Sequence, residues 1–129
     1  MNISFERPYR PVDLNIPTTK GFPLMSMAEK LMEESTSTTS GRASLTLAHG
    51  KEITLVLVAL KAGNTLEEHT APAAATVITL SGNIIFTTSA EKITLEQGEA
   101  VIFTADVLHA VYASEDSAFL IVIGGTGAN

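Results

Sequence analysis

Residues 63–82 read GNTLEEHTAPAAATVITLSG and residues 98–113 read GEAVIFTADVLHAVYA. Each stretch opens on a turn glycine, carries one of the three histidines of the chain and contains a β-prone run. In the first, five residues separate Gly63 from His69, and Gly82 closes the following strand. In the second, Gly98 leads into a strand and His109 follows its exit turn, and fifteen residues lie between the two stretches. Outward from them the chain continues as short strands broken by turns. The segments are Ala43–His49, Ile53–Leu60, Leu66–Ala71, Ala75–Leu80, Asn83–Thr88, Lys92–Leu95, Ala100–Thr104, His109–Ala113 and Ala118–Ile123. Nine β segments at this spacing predict an all-β sandwich or barrel.

The N-terminal side reads differently. Pro8, Pro11, Pro17 and Pro23 remove backbone donors and favour extended chain, so residues 1–23 are expected to form an arm that can lie along a sheet edge. Leu24, Met27, Ala28 and Leu31 are spaced as one face of a helix over 24–34, with Ser26 and Glu29 in the S-x-x-E form of a capping box. Ser35 to Gly41 is all Ser and Thr with a closing Gly, a solvated connector. The expected organisation is arm, helix and linker over 1–40, a barrel over 41–125 and a tail over 126–129. Ile53–Leu60 is apolar on both faces and needs cover from both sides, by the helix, the arm or a second copy.

The 129 residues fit one compact unit. Eight Lys and Arg against fourteen Asp and Glu give a net charge of −6, and the basic residues do not cluster, so nucleic acid is not an expected partner. Charged residues are 17% and apolar ones 45%, where an ordinary domain has roughly 25% charged residues. That surplus is read as packing the barrel, lining a cavity and forming a subunit interface, so a homodimer is expected. Without cysteine, any metal must be held by imidazole and oxygen. Glu6, Arg7 and Arg10 stand where a signal peptide would need its apolar stretch, and the apolar runs 55–60 and 118–123 are too short to span a bilayer. A soluble cytoplasmic protein with no membrane partner is expected.

The two glycine-and-histidine stretches resemble the motifs of the cupin superfamily, G-x5-H-x-H-x3-E-x6-G and G-x5-P-x-G-x2-H-x3-N. Gly63, His69 and Gly82 match the first in register, and Gly98 and His109 match the second. Ala71 and Ala75 stand in place of the second histidine and the glutamate, Thr104 and Asp106 in place of the Pro and Gly, and Ala113 in place of the Asn. The resemblance implies an RmlC-like double-stranded β-helix, a jelly roll barrel, here with an N-terminal extended arm and one short helix. It further implies dimerisation and a small molecule bound in the barrel. Metal-dependent oxygenase, isomerase or decarboxylase activity is implied only as far as the ligand set survives, and of four ligand positions His69 and His109 remain.

Strand alternation puts Glu67 and Ala71 on the same face as His69, and Val111 and Ala113 on the same face as His109. Glu67 is therefore a candidate third ligand, and His69, His109 and Glu67 would suit Fe, Mn, Zn or Ni. The other reading is metal-free. Ala71, Ala75, Val111 and Ala113 line a cavity in which two imidazoles orient a ligand, as in a binding or sensing module without catalytic activity. Asp106, three residues before His109, is a candidate to orient its ring. His49 and Glu68 are expected at the surface. Gly124-Gly125-Thr126-Gly127 follows a strand with no helix after it, so no phosphate loop is expected there.

Overall fold

Residues 5–125 are described by the computed structural model of the protein, and among them ten strands and one helix form. In chain order they are β1 (Val12–Asp13), α1 (Leu24–Thr36), β2 (Arg42–His49), β3 (Thr54–Leu60), β4 (Thr65–His69) and β5 (Ala75–Ser81). There follow β6 (Asn83–Thr87), β7 (Lys92–Glu96), β8 (Ala100–Phe103), β9 (His109–Ala113) and β10 (Ser117–Ile123). The nine predicted strands all form, with ends within two residues of expectation. The expected tail over 126–129 lies outside the described residues.

A six-stranded sheet in the order β1-β2-β3-β10-β5-β8 faces a four-stranded sheet in the order β4-β9-β6-β7. Every pairing is antiparallel except that of β1 with β2. This is a jelly roll, the double-stranded β-helix. Between the sheets lies one core, built on Val58, Leu60, Val77, Ile84, Phe86 and Phe119. A second core lies on the outer face of the larger sheet, where Met27 and Leu31 of α1 meet Leu45, Leu47, Leu57 and Leu120. β3 alternates between the two, with Val56, Val58 and Leu60 turned into the barrel and Leu55, Leu57 and Ala59 under the helix.

The two-faced strand is thus covered by the chain itself. The arm contributes as well: Phe5 is buried in the outer core, and Arg7 reaches both the Glu34 carboxylate (3.0 Å) and the Ser44 carbonyl (2.7 Å). β1 extends the sheet as a parallel edge strand, Val12 opposite Ala48. The ground on which a second copy was expected is therefore removed for these strands.

Two local expectations are corrected. The capping box does not form: Pro23 occupies the N-cap with no side-chain bond, which leaves Ser26 inside the first turn, its hydroxyl donating to the Pro23 carbonyl. Proline at that point ends the extended arm, because it has no N–H to donate and its ring disfavours the helical conformation in the residue before it. The connector is also shorter than expected, because Ser35 and Thr36 complete α1. Ser35 is buried and donates its hydroxyl to the Met32 carbonyl at 2.7 Å. No described helix is long and apolar enough to cross a membrane.

Turn glycines set the geometry on which the site depends. At Gly82, φ is +86°, and a Cβ there would run into Ser117 and the Asp116 carbonyl, so the β5–β6 turn admits no side chain. Asp106 adopts φ +76° in the β8–β9 turn, the left-handed conformation that a glycine takes most easily and that Asp tolerates. The turn that delivers His109 is thereby kept although Asp stands in place of the motif glycine.

A histidine pair in an apolar cavity

β4 and β9 are neighbours in the smaller sheet, and His69 and His109 are directly paired across them. Their ring centroids are 4.3 Å apart. Two sequence stretches forty residues apart therefore deliver their histidines to one point, since the pair sits at the end of β4 and the start of β9. His109 is 4% exposed, stacked on Phe86 at 5.0 Å and tilted against Phe103 at 4.5 Å. His69 is exposed and stands at the mouth.

Both rings are fixed in the same manner. His69 Nδ1 lies 2.7 Å from the Glu67 carbonyl oxygen, and His109 Nδ1 lies 2.9 Å from the Val107 carbonyl oxygen. A carbonyl only accepts, so each Nδ1 carries a hydrogen, and an imidazole in its neutral form then has its lone pair at Nε2. Neither Nε2 has a protein partner among the described residues. Burial pushes the pKa of His109 down, the Val107 carbonyl works in the opposite direction, and the neighbouring His69 adds to the lowering. His109 is accordingly a neutral acceptor at neutral pH.

The pair opens on a cavity of about 110 Å³. Leu66, Ala71, Ala75, Val77, Val111 and Phe103 are among its walls, and besides the imidazoles only Thr70 brings a polar side chain. Ala71, Ala75 and Val111 stand where the sequence placed them. Ala113 does not line the cavity: it is fully buried in the core, where its backbone pairs with Gly63 and Asn64.

Glu67 is not brought to the pair. In the β4–β9 register, Leu66 opposes Val111 and His69 opposes His109, so three residues on β4 span two on β9. The extra residue is a β-bulge, which resets the alternation. Leu66 and His69 both turn into the barrel, whereas Glu67 and Glu68 are exposed, and Glu67 contributes its backbone carbonyl rather than its carboxylate. Asp106 does not orient His109 either. The Val107 carbonyl does that, and Asp106 faces a separate groove. His49 is exposed at the β2–β3 turn. Leu66, Thr70, Phe86 and Phe103 escaped the sequence reading. For Leu66 the bulge leaves no signature in the residue pattern, and the phenylalanines look like any core aromatic.

Two imidazole rings meet with centroids 4.3 Å apart, and among the described residues no group of three or more His, Cys, Asp or Glu assembles. Ala71 and Ala75 present methyl groups to the same cavity. Structural and catalytic sites take three or four protein donors for zinc, and iron sites take two histidines with a carboxylate. Two imidazoles make up part of those donor sets, and the described residues bring no third protein donor to them.

A family model described as Cupin domain matches residues 56–126. Among solved structures, the chain is similar to a cupin superfamily protein from Desulfitobacterium hafniense, with 20% identity, 85% of this chain and 94% of that one covered, and a TM-score of 0.68. It is likewise similar to a conserved protein of unknown function from Streptococcus pyogenes, with 24% identity, 92% and 97% coverage and a TM-score of 0.67. KdgF from a Halomonas species shares 19% identity over 69% of this chain and 83% of that one, with a TM-score of 0.61. No curated protein matches the sequence closely enough to count as a relative.

Proposed function

The chain belongs to the cupin domain family, and from that premise we propose that its barrel binds a small, mainly apolar molecule carrying a hydroxyl, held without a metal by His69 and His109. The observation that carries this reading is the cavity of about 110 Å³, apolar except for two imidazoles and one threonine. An apolar cavity of about 150 Å³ is enough to hold benzene, and this one of about 110 Å³ opens beside the exposed His69, so it takes a single ring whose substituent lies at the mouth. Two Nε2 acceptors ask for a donor, and a neutral alcohol or phenol supplies one where a carboxylate does not. Burial of the ring body supplies affinity, and the hydrogen bond sets orientation and selects against hydrocarbons.

Phenol and toluene differ by that hydroxyl and serve as probes. In heteronuclear NMR of the full chain, phenol is expected to shift the imidazole nitrogens of His69 and His109. It is also expected to bind about five- to tenfold tighter than toluene, the worth of one hydrogen bond. In His109→Phe the preference disappears. Equal binding of the two probes, or none at millimolar concentration, refutes the reading.

A second reading keeps a divalent ion, Fe, Mn, Zn or Ni, on the two histidines. In its favour, both Nδ1 atoms are tied to carbonyls, the arrangement that orients a metal-ligating imidazole. Titration with nickel and zinc separates the two. Stoichiometric uptake lost in His69→Ala supports the metal, and no uptake above the variant supports the metal-free barrel.

A further inference from the structure

A groove of about 670 Å³ lies where the jelly roll is left open, between β7, the edge of the smaller sheet, and β8, the edge of the larger. Its volume is within the roughly 300–1,000 Å³ of small-molecule pockets. Phe86 and Phe103 form its floor, and Phe103 is shared with the wall of the histidine cavity. On β8 and the turn after it, Ile102 and Leu108 line the groove while 76% and 50% exposed, large apolar side chains held in water at a concave surface. The ionisable residues of the lining are Glu91 and Asp106, and no Lys, Arg or His is among them.

Those observations select an occupant. A second copy brings another net charge of −6, and a two-fold contact on this face would bring two copies each of Glu91 and Asp106 into one interface. An anionic amphiphile meets the same two carboxylates. We propose that the groove is a second binding site, for a small amphipathic cation. Its aromatic or branched apolar body rests on Phe86, Phe103 and Ile102, and its protonated amine lies at the rim beside Glu91 and Asp106. The site is independent of the ligand assigned to the histidine pair.

2-Naphthylmethylamine and 2-naphthoate carry one ring system and opposite charges. Titrated into the full-length protein and followed by backbone amide shifts, the amine is expected to perturb Ala90, Ile102 and Leu108 and to bind at least about tenfold tighter than the acid. Ile102→Lys, at a position exposed enough to leave the fold intact, is expected to weaken the amine about tenfold. Glu91→Gln combined with Asp106→Asn removes the amine's advantage; Asn is chosen because it accepts the positive φ at 106. Equal affinity of the wild type for amine and acid overturns the proposal. So do shifts centred on Leu66, His69 and Val111, and so does a dimer in sedimentation that Ile102→Lys dissociates.

Discussion

His109 sits between two phenylalanine rings and a second imidazole, and its environment favours the uncharged form. The unfolded chain imposes no such preference. As the pH falls below the ordinary value near 6.5, the unfolded chain takes up a proton that the fold resists. The contribution of His109 to stability is therefore complete above that pH and is lost as the pH drops toward the lowered folded value. Urea unfolding between pH 8 and pH 5 is expected to show the wild type losing stability below about pH 6.5 more steeply than His109→Phe. Thr79 is a different case. Its side chain is 0% exposed and its hydroxyl has no partner among the described residues. An unpaired buried hydroxyl costs stability, so Thr79→Val, which keeps the shape, is expected to be neutral or to raise stability by up to about 1 kcal/mol, read from the urea midpoint.

At the scale of elements, β4 shows how far periodicity carries a reading. Alternation was sufficient to place Val111 two residues from His109 on the same inner face, because β9 is regular between them. It failed on β4, where the bulge puts Leu66 in the cavity and turns the Glu67 carboxylate away. A bulge is a property of the pairing between strands, and one strand's residues do not announce it. α1 is the opposite case. Its apolar spacing was legible, and Met27, Ala28 and Leu31 are its buried face. Leu31 is 0% exposed in the outer core, so Leu31→Ala is expected to cost about 2–5 kcal/mol in urea unfolding, with little change in the denaturant dependence.

At the scale of the molecule, the apolar surplus has a place within the chain. The six-stranded sheet is apolar on both faces, with the smaller sheet on one side and α1 with the arm on the other. Large apolar residues left exposed are dispersed: Ile16 in the arm, Met25 on α1, Ile53 at the β2–β3 turn and Tyr112 on β9, besides the two in the groove. The barrel strands consequently depend on the N-terminal layer. A chain shortened to residues 41–129 would bare Leu45, Leu47, Leu57 and Leu120 together. It is expected to aggregate under conditions in which the full chain does not, as measured by soluble yield and light scattering.

Nine strands, one amphipathic helix and a histidine in each of two glycine-led stretches were readable from residue order, because hydrophobic period and turn chemistry are local properties. Motif register singled out His69 and His109 as one candidate site, and their direct opposition across β4 and β9 is a fact of the sheet. Only the folded chain decided which groups surround that pair. The bulge in β4 and the aromatic wall of Phe86 and Phe103 arise from contacts between segments distant in sequence, and the carbonyls of Glu67 and Val107, each two residues from its histidine, meet the Nδ1 atoms in the backbone shape that strand pairing imposes. Local pattern fixes which residues can face inward, and packing between strands fixes which of them meet.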